Sequence, residues 1–160
     1  MDINGEKLYL FNPWNIKDWD DQMICGQVEQ LIKQYNPNAD TMWELADDIE
    51  IIANIQYLYG EMISRLTNEV ANLKLDNDTN EAKKIVESRK AWKKENPEEK
   101  MPAMSYFEAL AEESVKIKRE KQNEKSGMLT RFKYAYDSME QKANALKKKQ
   151  DSIKYEEFNK

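Results

Sequence analysis

Histidine is absent from this chain of 160 residues, and cysteine occurs once, as Cys25. The first absence excludes Ser-His-Asp and Cys-His catalytic groups and every His-ligated metal site. The second excludes an internal disulfide and any zinc site built from several cysteines. Glycine and proline are scarce, with four of each. An all-β sandwich, which must turn about every ten residues, is therefore not expected. No apolar run approaches the roughly 18 residues that a membrane span requires. The opening Met1-Asp2-Ile3-Asn4-Gly5-Glu6 lacks the basic and apolar regions of a signal peptide. A soluble, intracellular, single-domain protein is expected, and one cysteine is compatible with a reducing cytoplasm.

What the chain does hold is charge, at 34% of residues against 40% apolar. That balance suits long solvated helices better than a thick core. The net charge of −5 conceals a polarity. Residues 1–80 carry five basic groups (Lys7, Lys17, Lys33, Arg65, Lys74) against fifteen acidic ones. Residues 81–160 carry the remaining twenty basic groups against fifteen acidic ones, and 116–149 alone has eleven against four. Charges farther apart than roughly 8–10 Å are screened at cellular salt, so the halves can act as separate electrostatic surfaces. An ordinary charged helical surface is the plainer reading.

Periodicity supplies the fold. Residues 1–16 read as an extended or irregular segment containing Leu8-Tyr9-Leu10-Phe11. Residues 18–35 read as a short helix stopped by Asn36-Pro37-Asn38. Thr41-Met42-Trp43-Glu44 is a capping box. From it apolar residues recur at alternating spacings of three and four: Met42, Leu45, Ile49, Ile52, Tyr59, Ile63, Leu66, Val70 and Leu73, with Gln56 the polar exception. This is the 3.5-residue repeat of a coiled-coil seam. Ile55, Leu58 and Met62 widen the stripe beyond what one partner helix covers. Asn77-Asp78-Thr79-Asn80 marks a break or a strained continuation. Asn96-Pro97 and Met101-Pro102 bracket a connector. Ser105-Tyr106-Phe107-Glu108 is a second capping box, followed by Phe107, Leu110, Ala111, Val115 and Ile117. Ten residues without an apolar side chain, Lys118–Gly127, separate these from Met128, Phe132, Ala135, Met139, Ala143 and Leu146. The expected fold is mostly α: a long helical hairpin or coiled-coil-like bundle with a smaller N-terminal cap. The cap occupies 1–40 and the hairpin 41–160, with arms of about 41–95 and 105–158.

Little chemistry suggests catalysis. No Gly-rich phosphate loop or nucleophile elbow is present. Glu44, Asp47 and Asp48 fall on one helical face and can attract Mg²⁺ or Ca²⁺, but carboxylates also gather in first turns because the helix N-terminus favours them. No metal, cofactor or catalytic residue is assigned. Cys25, with no basic neighbour in sequence, reads as a small buried side chain. More suggestive is a basic and aromatic constellation. Lys83, Lys84, Arg89, Lys90, Lys93 and Lys94 surround Trp92, with Glu87 the only acid between 83 and 94. In the second arm Arg131, Lys133, Lys142 and Lys147-Lys148-Lys149 accompany Phe132, Tyr134 and Tyr136. Single-stranded nucleic acid is bound by cations along its phosphates and by π-faces on which bases stack. The candidate contacts are Lys84, Arg89, Lys90, Trp92, Lys93, Arg131, Lys133 and Tyr134. The acidic first half admits another reading, a surface that imitates nucleic-acid phosphates or attracts a basic partner.

The layout resembles the UvsY-type phage recombination mediators over roughly Leu45–Ser152. Ser88-Arg89-Lys90-Ala91-Trp92-Lys93 is the counterpart of the family's basic-aromatic DNA box, without its paired tyrosines and following glycine. Lys125-Ser126-Gly127 corresponds to its basic and small turn before the terminal helix. The resemblance implies a helical homo-oligomer in the cytoplasm of a bacterial host. It would bind single-stranded DNA and help a recombinase displace single-strand-binding protein. On it Arg89, Lys90 and Lys93 contact phosphates and Trp92 stacks on a base. Leu45, Ile49, Ile52, Tyr59, Ile63, Leu66 and Val70 build the subunit and its interfaces. Two alternatives stand beside it: an acidic helical inhibitor of a host nucleic-acid-binding defence protein or complex (anti-CRISPR-like or a DNA mimic), and a coiled-coil scaffold.

Overall fold

The computed structural model describes residues 13–158. Among them are a 3-10 helix at Pro13–Asp18, three α-helices and no strand: α1 (Asp21–Gln34), α2 (Met42–Glu95) and α3 (Met104–Phe158). The two long helices pack against each other as a hairpin and α1 is the short N-terminal helix, which is the architecture that the periodicity predicts. The Leu8–Phe11 run lies outside the described residues. Residues 13–16 are not extended. They belong to the 3-10 turn, which the i to i+3 bond from the Trp19 N–H to the Ile16 carbonyl (3.1 Å) closes.

The helix ends follow local chemistry. Asp20 caps α1, its carboxylate accepting the Met23 N–H at 2.8 Å. The Thr41 box forms as its residues dictate: Thr41 Oγ1 accepts the Glu44 N–H at 3.3 Å, and Glu44 Oε2 accepts the Thr41 N–H at 3.2 Å. The Ser105 box does not form. Helix α3 opens at Met104, two residues before the Tyr106 start that a Ser105 cap would give, with the Tyr106 N–H donating to the Ala103 carbonyl at 3.1 Å, so Ser105 already lies inside the first turn. Pro102 sets this start, because it disfavours helix at Met101 but tolerates it just beyond.

Of the break and the continuation left open at Asn77–Asn80, helix α2 takes the continuation. The turn that the resemblance implied at Lys125-Ser126-Gly127 is absent, and α3 runs unbroken through it. Tertiary partners override the weak local propensity in both places. Asn77 is 1% exposed and donates its amide to Gln122 Oε1 at 2.8 Å. Lys125 pairs with Glu69 at 3.0 Å.

The chain packs as two compact units, and both long helices contribute to each. One unit holds the described residues up to Met62 and those from Phe132 onward; the other is Ile63–Arg131. In the first, Ile16, Ile24, Val28 and Leu31 meet Ile55, Leu58 and Met62, flanked by Trp19, Ile51, Tyr59, Phe132 and Met139. The Tyr59 and Phe132 rings meet edge to face at 5.7 Å. In the second, Phe107, Ala111 and Val115 are buried at a spacing of four. Leu110 and Ile117, expected in the same stripe, are 43% and 81% exposed because they fall on the flank of that line. The apolar gap at 118–127 is bridged by polar pairs to α2: Lys118 with Asp76, Arg119 with Glu81 and Asp78, Gln122 with Asn77, and Lys125 with Glu69.

Candidate nucleic-acid interface

The last turns of α2 sort their side chains by position. Ile85, Ser88 and Trp92 are half-buried, while Lys84, Arg89, Lys90 and Lys93 are exposed and Val86 remains 51% exposed. Val86, Arg89, Lys90 and Lys93 stand at i, i+3, i+4 and i+7, one face of a helix. With Met101 from the connector they line an open cavity of about 340 Å³. Its floor is apolar and its rim carries three cations.

The helix end itself uses part of this chemistry. The Trp92 carbonyl accepts both the Asn96 N–H at 2.9 Å and the Asn96 side-chain amide at 3.0 Å. Lys93 Nζ donates to the Pro97 carbonyl at 2.8 Å. Lys93 and Lys94 also sit where the helix C-terminus favours positive charge.

Charge pairing separates this stretch from the rest of the basic half. Lys118, Arg119 and Lys125 have carboxylate partners on α2. The hydrogen bond that the Arg119 guanidinium donates to Glu81, then the Glu81 charge, raises its pKa further. Among the described residues, Lys84, Arg89, Lys90 and Lys93 have no carboxylate partner.

The remaining candidates are not gathered at this cavity. Arg131 is exposed on α3 in the same unit, whereas exposed Lys133 and Tyr134, the latter at 71%, belong to the other unit. Tyr136, noted with them in sequence, is half-buried, and its ring approaches Gly60. Of the seam residues, Leu45, Ile52 and Leu66 are at most 1% exposed inside the chain's own packing and offer no surface to a second copy. Ile49, Tyr59, Ile63 and Val70 are half-buried. Fully buried Ile55, Leu58 and Met62 take the places that the strict repeat gave to Gln56, Tyr59 and Ile63.

Other expectations shift as well. Cys25 is exposed rather than buried, since Ile24, Gln27 and Val28 form the inward face of α1. Partial burial, then the Asp21 and Glu29 carboxylates, push its thiol pKa up, away from nucleophilic use. Glu44, Asp47 and Asp48 do not converge on an ion. Glu44 Oε2 turns back to Thr41, and Asp48 Oδ1 accepts the Asn36 N–H at 2.9 Å. Among the described residues no three acidic or cysteine side chains are placed to share a metal ion, and no helix is long and apolar enough to cross a membrane. Val86, which its apolar side chain places with Ile85 and Trp92 among the few expected core residues of 81–95, is exposed at the cavity instead, and sequence reasoning missed Met101. Val86 was legible as the start of the i, i+3, i+4, i+7 set, but Met101 reaches the cavity only through the connector. No known protein family, curated protein or solved structure matches the chain.

Proposed function

We propose that this protein is a non-enzymatic accessory factor that binds single-stranded DNA through the exposed cations at the end of α2. One observation carries the reading: Arg89, Lys90 and Lys93 ring an apolar depression floored by Val86 and Met101, and no carboxylate of the described chain neutralises them. Phosphates would lie on Arg89 and Lys90, with exposed Lys84 outside the cavity lining as a further contact, and a base would cover Val86 and Met101; half-buried Trp92 is not part of that lining. Arg131, Lys133 and Tyr134 would form a second, separate contact. A flexible single strand suits this surface, because its bases are free to reach an apolar floor that a duplex keeps covered. A recombinase as protein partner and self-association, both implied by the resemblance, belong to the same proposal.

The test is titration of labelled single-stranded DNA at several salt concentrations. Affinity should fall linearly on a log-log plot. Arg89→Ala and Lys90→Ala should each shallow the slope by about 0.7, the value for one lost phosphate contact on a single strand. Lys118→Ala, whose ammonium faces Asp76 at 3.2 Å, should leave the slope unchanged. No binding at low salt, or equal effects of all three variants, would overturn the proposal.

A further inference from the structure

A second charged cavity, of about 410 Å³, lies within the unit that contains α1. Glu44, Asp47, Asp48 and Glu50 line it, and no lysine or arginine does. Acidic residues in a first turn are ordinary. What sets this group apart is Asp48, which is 2% exposed. Its Oδ1 accepts the Asn36 N–H at 2.9 Å, and its Oδ2 is buried with no hydrogen-bond partner. A buried carboxylate oxygen left so is costly until a donor reaches it.

The surroundings define what kind of donor. Glu44 Oε2 is engaged by the Thr41 hydroxyl at 2.8 Å and by the backbone of Asp40 and Thr41. Lys142 lies over the Tyr35 ring at 3.9 Å and Lys149 donates to the Ala39 carbonyl, so neither serves Asp48. Exposed Asp47 and Glu50 add negative charge on the solvent side. The acids are not set to share a metal ion. Leu31 and Ile51 give the wall an apolar part against which an alkyl chain can pack.

We propose that this cavity binds an alkyl-ammonium or alkyl-guanidinium group. Its stem packs on Leu31 and Ile51, its N–H donors are directed at the Asp48 carboxylate, and Asp47 and Glu50 hold its charge. The group can come from a free polyamine or from a lysine or arginine of a partner protein. No residue is shared with the cationic site on α2, so the two proposals stand or fall separately.

The experiment uses the full chain, ¹⁵N-labelled, with two probes: spermidine, and a short arginine-containing peptide blocked at both ends. Saturable 1:1 binding of either probe is expected, with the Asn36 amide resonance moving because its N–H is bonded to Asp48. Asp48→Asn and Glu50→Gln should each weaken binding by about tenfold or more, the scale of one charge-assisted hydrogen bond. MgCl₂ at matched ionic strength should not displace the probe. Binding of spermidine alone identifies a free polyamine, binding of the peptide alone identifies a protein side chain, and either supports the site. Glu50 is exposed and its substitution spares the fold, which keeps the test decisive if Asp48→Asn does not fold. Failure of both probes to saturate, equal displacement by Mg²⁺, or wild-type binding by a folded variant would overturn it.

Discussion

Asn77 and Gln122 are joined by a 2.8 Å hydrogen bond at the point where the apolar stripes of α2 and α3 are both interrupted. Asn77 is 1% exposed, and its Oδ1 has no partner of its own. This polar layer therefore stabilises little. It contributes register instead, since only one sliding position of α2 along α3 brings the two amides together. Asn77→Ala should cost about 1–3 kcal/mol in urea denaturation, through the lost bond and the stranded Gln122 amide. Replacing both residues by leucine removes both polar groups at once and should restore at least wild-type stability. A double variant less stable than Asn77→Ala would show that the layer is a net stabiliser.

The α2 cap gives a pH-dependent contribution. The Thr41 hydroxyl, then the Asp40 and Thr41 backbone N–H groups, hold the Glu44 carboxyl below its ordinary value of 4.5. A carboxyl with a lowered folded pKa adds stability that is complete above the ordinary value and is lost as pH falls from there through the folded value. Thermal melts of Glu44→Gln should consequently lack part of the decline that the parent shows below pH 4.5. Thr41→Ala should cost roughly 1 kcal/mol at neutral pH, as N-cap losses do.

Gly127 tests the continuity of α3. A Cβ built on it meets nothing within 4 Å, and the helix runs straight through it. Gly127→Ala should stabilise the protein by about 0.8–1 kcal/mol, the helix-propensity difference. A turn at Lys125-Ser126-Gly127 would give the opposite sign. Gly26→Ala in α1, equally free of contacts, should behave alike.

The cation surface was legible as composition but not as a site. Lys84, Arg89, Lys90 and Lys93 could be picked out in sequence because acids are missing around them. Their sequence gave no sign that Lys118, Arg119 and Lys125, equally basic neighbours in the chain, would be matched by Asp76, Glu81 and Glu69. Those pairs join residues 38 to 56 apart in sequence, so they depend on how the hairpin closes. Asp48 was hidden in the same way: as one of three acids near the start of α2, of which only Glu44 lies in the first turn, it looked like helix-dipole chemistry. Only the Asn36 bond and the orphaned Oδ2 distinguish it.

The amino-acid sequence alone determined that the chain is helical, where its connector lies and how α2 begins. Helical periodicity, proline sterics and capping act within a few residues and need no distant partner. The packing of α2 against α3 decided what local signals could not. It carried the helices through Asn77–Asn80 and Lys118–Gly127, buried Ile55 and Met62 in place of Gln56 and Ile63, and fixed which charges are neutralised. Those outcomes rest on contacts between residues 38 to 56 positions apart in the chain, such as Arg119 with Glu81 and Lys125 with Glu69, which no local signal encodes.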